Sequence, residues 1–299
     1  MKVGLIGLGN IGGGCAANLA ASALDFYVYD LNRAAAERVL AQGATWSDSC
    51  ADIAAICDVL FLSLPGPEQI EVVMRGKNGV LAGPADQLVV VDLSTSSLMV
   101  ARAMYEAAAE KGVSYIDCPV SGGIWGAQSG DLVLMPSGDQ SAFDKALPAM
   151  QVIGKEDTAY LGESGTGTLV KLINNQIFMA GAQVFQEGYV LATKAGMDIK
   201  QLVQMLRGSS AGLYIPLASM VTKRQWEDST YDLTLAEKDV RLALDTASDL
   251  GVDMPMTLAN HETLKRAIEL GQGDKFFLAT LVALEEAAGV TAPVIDVDS

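Results

Sequence analysis

The chain has 299 residues, half of them hydrophobic, and a formal net charge of −16 at pH 7. This length allows one large domain or two ordinary ones, and the apolar content predicts a sizeable core rather than disorder. No Lys/Arg cluster offsets the acidic balance, so neither nucleic acid nor an anionic membrane surface is expected as a partner.

The cysteines, the single histidine and the start of the chain limit the class further. Cys15, Cys50, Cys57 and Cys118 show no C-x-x-C spacing and none stands near His261, so a metal site is not expected. Free thiols suit a reducing compartment. The N-terminus lacks a signal-peptide pattern, and no apolar run reaches the roughly 18 residues of a membrane span. We therefore expect a cytoplasmic protein without membrane contact.

The first motif is Gly7-Leu8-Gly9-Asn10-Ile11-Gly12, between a strand predicted at 2–6 and a small-residue helix predicted at 14–23. This is G-x-G-x-x-G in the strand–turn–helix context that dinucleotide binding requires. Gly7 permits the tight turn, Gly9 lets a pyrophosphate approach the backbone, and Gly12 lets the helix pack on the strand. A purely structural glycine turn is the alternative interpretation.

A second predicted strand, at 26–30, ends in Asp30, 18 residues after Gly12. A carboxylate at this position accepts hydrogen bonds from ribose hydroxyls and repels a 2′-phosphate, which favours NAD. Arg33 follows closely and could accommodate the 2′-phosphate of NADP, so NADP stays open.

Strands and helices then alternate up to about residue 117. Strands are predicted at 44–46, 59–64, 88–92 and 113–117, and helices at 33–42, 47–55, 68–75 and 97–111. This alternation of helices with apolar strands predicts a doubly wound, mostly parallel sheet of the α/β class. Leu64-Pro65 and Ser94-Thr95 follow two of the strands, at the sheet edge where ligands bind in such folds.

The stretch Cys118-Pro119-Val120-Ser121-Gly122-Gly123 follows the strand predicted at 113–117. Such a loop presents backbone N–H groups and a hydroxyl to an anion, although a plain turn would have the same composition. Strands at 131–137 and 158–161 and a helix at 140–150 complete the first domain, which we place at 1–163.

The second domain, 164–299, is predicted to be all-α. Gly165-Thr166-Gly167-Thr168 suits a helix start, and the helix continues to about residue 195, which is long enough to join two domains. Further helices are predicted at 198–206, 215–222, 233–250, 255–269 and 276–288, and the residues from 293 onward are expected to form a loose tail.

Two groups of charged and polar residues lie on these predicted helices. Lys171, Asn174 and Asn175 share one face of the long helix, because residues three and four apart are neighbours. Glu237-Lys238-Asp239 lies on a later helix. Judged alone, each group is typical of a solvated helix surface.

Four motifs in order carry a family resemblance. They are Gly7–Gly12 with Asn18-Leu19, Asp117–Gly123 with Gly126–Gly130, Gly165–Asn175, and Lys238-Asp239 with Leu242-Ala243. Over essentially its whole length the chain resembles the β-hydroxyacid dehydrogenases, which include 3-hydroxyisobutyrate dehydrogenase, tartronate semialdehyde reductase and 2-(hydroxymethyl)glutarate dehydrogenase. The resemblance implies a Rossmann-type domain joined to an all-α substrate and oligomerisation domain. It also implies NAD(P) as cofactor, a small anionic hydroxy acid as substrate, and a homodimer or homotetramer.

The resemblance implies roles for single residues as well. Lys171 matches the catalytic lysine of the family. The positions that match substrate-binding residues are Ser121, Gly122, Gly123, Asn174, Asn175 and Lys238. The positions that match cofactor-binding residues are Gly7, Gly9, Asn10, Ile11, Gly12, Asp30, Arg33, Leu64, Pro65, Thr95 and Lys238.

The sequence departs from the family pattern at several places. Ile11 and Cys15 replace methionines, and Cys118 stands where alanine is usual. Met135-Pro136-Ser137-Gly138 replaces an apolar-Val-Gly-Gly stretch, which could alter the edge of the sheet. Trp125 is large for the substrate loop, and either shapes a pocket or packs.

The expected reaction is reversible hydride transfer between NAD and a β-hydroxy acid, with Lys171 as general acid/base. Because His261 lies far in sequence from the motifs, the acid/base position is open to this lysine. Burial and a helix N-terminus both lower the pKa of a lysine from its usual value of about 10.4. We expect the site in a cleft between the domains. The competing interpretations are an imine reductase-like enzyme, which Lys171 argues against, and a catalytically silent NAD-binding sensor.

Overall fold

The computed structural model describes residues 1–85, 87–227 and 230–297. The chain divides into two compact units, Met1–Leu172 and Ile173–Ser299. The division lies inside a long helix, Thr166–Lys194, which begins in the first unit and continues into the second. The domain boundary predicted at 163/164 stays a prediction.

The first unit contains one parallel sheet. The strands of the described residues that form it are β1 (Lys2–Ile6), β2 (Asp25–Tyr29), β3 (Thr45–Trp46), β4 (Val59–Leu62), β5 (Val89–Asp92) and β6 (Ser114–Asp117). They lie in the order β3-β2-β1-β4-β5-β6, and each neighbouring pair is parallel. The strand order reverses between β1 and β4, which is the point where dinucleotides bind in doubly wound sheets. The predicted α/β class is confirmed.

Helices cover both faces of this sheet. They are α1 (Asn10–Ala21), α2 (Glu37–Ala41), α3 (Cys50–Ile56), α4 (Pro67–Arg75), α5 (Leu98–Ala109), α6 (Gly123–Ser129) and α7 (Gln140–Ile153). Successive residues of β4 enter different cores, Val59 and Phe61 on one face and Leu60 and Leu62 on the other. This two-sided burial explains why the strands are continuous apolar runs rather than alternating ones.

Two strand predictions for the first unit are wrong: one strand is shorter than predicted and the other does not form. Within 131–137 only β8 (Val133–Leu134) is a strand, and it pairs antiparallel with β7 (Val120–Ser121) outside the main sheet. No strand forms at 158–161: the Leu161 amide donates to the Pro136 carbonyl, and Thr158 turns back onto the Lys155 carbonyl. Pro136 has no N–H to donate, so a ladder cannot continue through it.

The helix boundaries near the glycines also differ from the prediction. Helix α1 begins at Asn10, inside the glycine motif, rather than at residue 14. Helix α6 occupies a stretch for which no helix was predicted. A Cβ on Gly14 would lie 2.9 Å from Ala127, so glycine in the middle of α1 is what lets α6 pack closely.

The second unit is helical, as predicted. Its helices are α8 (Thr166–Lys194), which starts in the first unit, α9 (Ile199–Arg207), α10 (Ile215–Thr222), α11 (Leu233–Asp249), α12 (Pro255–Ala267) and α13 (Leu281–Ala288). The helix predicted at 276–288 is interrupted: Phe277–Thr280 is a 3₁₀ turn before α13 begins. The Thr280 hydroxyl there donates to the Gln186 side chain and to the Phe277 carbonyl.

The predicted loose tail is wrong for residues 293–297, and residues 298 and 299 lie outside the described residues. The Ile295 amide donates to the Thr222 carbonyl at 3.0 Å, and the Tyr189 hydroxyl donates to the Pro293 carbonyl at 2.6 Å. Just before the tail, the buried Glu285 carboxylate pairs with Arg224 and accepts the Ala292 amide at 2.7 Å. A buried ion pair therefore anchors the start of the tail.

We expect Glu285→Ala to lower the free energy of unfolding by about 3 kcal/mol, because Arg224 and the Ala292 amide would lose their acceptor in a buried site. The matched control is Glu286→Ala on the same helix. Glu286 pairs with Arg266, but both side chains are half exposed, so the loss should be much smaller. Urea unfolding measures both variants, and equal losses would contradict the anchoring of the tail by Glu285.

Candidate active site

The glycine motif forms a tight turn with one open position. Gly7 has φ +94°, and a Cβ there would lie 2.2 Å from the Ser63 carbonyl oxygen. A Cβ on Gly12 would lie 1.9 Å from the Gly7 oxygen, whereas the Cβ position of Gly9 meets no atom within 4 Å. Among the described residues no side chain caps α1 at Gly9. The turn is thus closed around Gly7 and Gly12 and open at Gly9, which fits approach of a pyrophosphate to the helix N-terminus.

Asp30 is fixed at the end of β2 by two backbone amides. The Leu8 N–H, inside the glycine motif, donates to its Oδ2 at 2.6 Å, and the Asn32 N–H donates to its Oδ1 at 2.7 Å. Arg33 follows, with its guanidinium 5.1 Å from the centre of the Trp46 ring. The structure therefore brings Asp30 against the phosphate turn and holds Arg33 on an aromatic surface beside it.

The loops after β4 and β5 are connected by a buried acid. Asp92 accepts the Ser94 N–H at 2.9 Å and the Tyr115 hydroxyl at 2.6 Å, and the Ser94 hydroxyl accepts the Leu64 N–H at 2.9 Å. These bonds fix the backbone beside Thr95 and Pro65, the two positions that match cofactor contacts. Burial raises the pKa of Asp92 from 3.8 to about 6, against the opposing effect of these hydrogen bonds.

The predicted anion loop has the backbone that its glycines suggest. Gly122 and Gly123, which follow Ser121 of β7, have φ +124° and +60°, a left-handed pair that favours glycine. Asn18 donates to the Ala127 carbonyl at 2.8 Å and so ties α6 to the glycine-motif helix. Trp125 is 81% exposed, which does not support the interpretation that it packs.

Helix α8 begins on a buried carboxylate. Asp117, the last residue of β6, accepts the Gly165 N–H at 2.8 Å and the Thr168 N–H at 2.9 Å. Ser137 donates to Asp117 at 2.8 Å and accepts the Gly167 N–H at 2.8 Å. Lys171 is half-buried on the following turn. The first unit thus fixes the start of the helix that carries the candidate base.

In the second unit a buried acid joins the other candidate residues. Asp239 accepts the Asn175 Nδ2 at 2.7 Å and the Tyr231 hydroxyl at 2.7 Å. Lys238 Nζ lies 2.9 Å from Asp239 Oδ1 as an ion pair rather than as a well-aligned hydrogen bond. Asn174 donates to the Asn175 Oδ1 at 3.0 Å. Asn174, Asn175 and Lys238 are therefore one cluster around a carboxylate.

Several other titratable groups of the described residues are buried or have partners of their own. His261 lies 2.7 Å from Glu237 in the second unit. Burial raises the pKa of Cys15 to about 12 and that of Cys50 to about 11, so these thiols stay protonated. Burial and Asp239 also raise the pKa of Tyr231 well above its usual value. The described residues contain no cluster of potential metal ligands, and none of their helices is long and apolar enough to cross a membrane.

Sequence reasoning missed the buried residues behind the site. Asp117 and Asp239 lie inside the recognised motifs, but nothing in the sequence indicated a role for them. Tyr231 and Asp92 were not among the candidate residues. Ser137 was noted only as a departure from the family pattern. The available signal was an acid at the end of a buried strand, as in Val89–Asp92 and Ser114–Asp117, because a buried charge needs partners.

Comparison with known proteins matches both parts of the chain to family models of dehydrogenases. Residues 2–162 match the family model of the NAD binding domain of 6-phosphogluconate dehydrogenase. Residues 165–284 match the model described as NAD-binding of NADP-dependent 3-hydroxyisobutyrate dehydrogenase. The 2-(hydroxymethyl)glutarate dehydrogenase of Eubacterium barkeri is 33% identical over 293 residues, 97% of each chain. The 3-hydroxyisobutyrate dehydrogenase of Pseudomonas aeruginosa is 32% identical over 265 residues, 85% of this chain and 88% of that one.

Solved structures agree with these relatives. The 3-hydroxyisobutyrate dehydrogenase of Mycobacterium tuberculosis with L-serine superposes with a TM-score of 0.84 at 25% identity, over 95% of this chain and 98% of that one. An imine reductase of Myxococcus stipitatus superposes with a TM-score of 0.63 at 16% identity, over 95% and 99% of the two chains. The imine reductase shares the fold alone and is the more distant of the two.

The pKa of Asp92 gives a prediction for stability against pH. Because the folded state binds this proton more tightly than the unfolded state, the contribution of Asp92 to stability is present below pH 3.8 and lost as pH rises through about 6. We expect Asp92→Asn to remove this loss of unfolding free energy, which amounts to about 3 kcal/mol once Asp92 is fully ionised. Urea unfolding of both proteins at a series of pH values from below 3.8 to above 6 measures it. A stability difference that does not change with pH would contradict the assignment.

Proposed function

The chain belongs to the β-hydroxyacid dehydrogenase family, and we propose that it interconverts a small β-hydroxy acid with its semialdehyde or keto acid, using Lys171 as general acid/base. It is an NAD(P)-dependent oxidoreductase. The observation that carries the proposal is the placement of Lys171 one turn beyond a helix start that a buried carboxylate holds in place.

In the proposed reaction the cofactor, Lys171 and the anion loop have separate roles. The bound nicotinamide dinucleotide supplies the ring that accepts the hydride from the hydroxyl-bearing carbon. The neutral amine of Lys171 takes the hydroxyl proton as the carbonyl forms, and returns it in the reverse direction. Ser121, Gly122 and Gly123 bind the substrate carboxylate through a hydroxyl and backbone N–H groups.

The cluster in the second unit completes the proposal. Asn174, Asn175 and Lys238 orient the substrate, and Lys238 adds positive charge for an anion in an acidic protein. Asp239 holds both Asn175 and Lys238, so these two side chains are positioned before substrate binds. The substrates in the names of the relatives, 2-(hydroxymethyl)glutarate and 3-hydroxyisobutyrate, support a β-hydroxy acid.

Two further features belong to the proposal. A homodimer or homotetramer is supported by exposed apolar side chains at seven-residue spacing along α8, Ile177, Val184 and Leu191. A cytoplasmic location stays a prediction from the sequence.

We expect Lys171→Ala to lower kcat by roughly 10²- to 10⁴-fold, the usual worth of a general acid/base. NADH affinity, measured by fluorescence titration, should be nearly unchanged. The assay is a panel of β-hydroxy acids with NAD and with NADP, followed by the absorbance of the reduced cofactor. Lys111→Ala, an exposed lysine of the same unit, is the matched control. Wild-type turnover in the Lys171→Ala variant would contradict the proposal.

The same panel separates the competing functions. Turnover of cyclic imines but of no hydroxy acid would favour an imine reductase, and cofactor binding without any turnover would favour a sensor. Neither result is expected, because the candidate base and the anion loop are both present.

We propose NAD rather than NADP as the preferred cofactor, because the anchored Asp30 carboxylate would repel a 2′-phosphate. Asp30→Ser should lower kcat/KM for NAD by roughly 10- to 100-fold, the worth of a hydrogen bond to a charged group. The ratio of NADP to NAD activity should rise. The control is Arg33→Ala, which should leave NAD activity almost unchanged. A preference of the wild-type enzyme for NADP would refute the proposal.

A further inference from the structure

The clamp at the start of α8 is formed by Asp117 and Ser137, which lie at the ends of two separate segments of the first unit. We infer that these two residues position Lys171 for proton transfer by capturing the first amides of α8. This inference rests on the proposed function of Lys171. It extends that function to two buried residues that touch neither substrate nor cofactor in the proposal, and they are therefore positioning residues.

The Asp117 carboxylate is saturated by donors from the helix start. Its Oδ1 accepts the Gly165 N–H and the Ser137 hydroxyl, both at 2.8 Å. Its Oδ2 accepts the N–H and the hydroxyl of Thr168, both at 2.9 Å. A negative charge at a helix N-terminus is also favoured by the helix dipole.

Ser137 closes the clamp by bonding in both directions. Its hydroxyl donates to Asp117 and accepts the Gly167 N–H at 2.8 Å, and its side chain is fully buried. Asp117 and Ser137 together satisfy the N–H groups of Gly165, Gly167 and Thr168. A single capping side chain usually satisfies one or two such groups, as Ser49 does with the Asp52 amide on α3.

Glycines allow the helix start to approach its neighbours closely. A Cβ on Gly167 would lie 1.9 Å from the Met135 carbonyl oxygen, so the first turn rests directly on the backbone beside Ser137. Gly165 has φ +92°, and a Cβ there would lie 2.4 Å from Leu98 Cδ1. Gly167 therefore allows the helix to approach the clamp, and Gly165 allows it to approach α5.

The clamp reaches Lys171 through the helix itself. In an α-helix the amide of residue 171 bonds to the carbonyl of residue 167, and residues 167 and 171 share a face. The Gly167 carbonyl belongs to the peptide whose N–H, that of Thr168, is bound by Asp117, and the preceding peptide is bound by Ser137 through the Gly167 N–H. The clamp therefore holds both peptides of Gly167, the residue on which the turn of Lys171 is built. A displacement of about 1 Å at a reacting group can cost on the order of 10²-fold in rate.

The test is Ser137→Ala, which removes one hydroxyl without adding volume. We expect kcat to fall about tenfold, below the 10²-fold cost of a full 1 Å displacement. NADH affinity and the KM for the hydroxy acid should change little. Hydrogen exchange of the peptide spanning 165–172 should accelerate, a readout that needs no substrate. Asp117→Asn should act in the same direction and more strongly, because an amide nitrogen would face a backbone N–H.

The matched control is Ser49→Ala, which removes the cap of α3, a helix that carries no site residue. It should lower stability comparably and leave kcat unchanged. An equal loss of kcat in both variants would overturn the inference, because the loss would then follow stability alone.

A double-mutant cycle separates positioning from general damage. In the Lys171→Ala background, Ser137→Ala should change the residual turnover by less than about twofold, because both substitutions act on one function. The same tenfold loss in that background would overturn the inference. Wild-type kcat in Ser137→Ala with a disabled Lys171→Ala would overturn the inference and leave the proposed function standing. Wild-type turnover in Lys171→Ala would instead overturn the proposed function.

Discussion

The rest of the candidate site depends on the burial of one carboxylate at the first turn of a long helix. Asp117 is held under the N-terminus of α8, where burial raises its pKa and the donors of Gly165, Thr168 and Ser137 oppose that effect. A buried acid is costly unless such partners are present. The partners are the Gly165 amide, the amide and hydroxyl of Thr168, and the Ser137 hydroxyl.

The architecture of the first unit could be predicted because its signals are local. Each apolar run predicted as a strand up to residue 117 contains a strand of the sheet. The G-x-G-x-x-G turn has one fixed place, at the end of the first strand. The family motifs made Lys171, Asn175 and Lys238 candidates, because a motif gives each residue a position even when its contacts are unknown.

The remainder could not be predicted because it depends on contacts far apart in sequence. The segment at 158–161 has strand-like composition, but its partner strand is interrupted by Pro136. Asp239 appeared to be part of a charged helix surface, and only the fold brings Asn175 and Tyr231 onto it. Ser137 could not be interpreted from its neighbours, because the Gly167 amide that it accepts is 30 residues away.

The register of β5 and β6 has a consequence for how protons are distributed in this protein. Asp92 and Asp117 are paired positions on these adjacent strands, and each is buried. The charge of Asp117 contributes to the raised pKa of Asp92. A negative charge on Asp117 therefore makes Asp92 harder to ionise, in addition to the larger effect of burial. The acid that holds the Ser94 loop thus ionises in the electrostatic field of the acid that holds the start of α8.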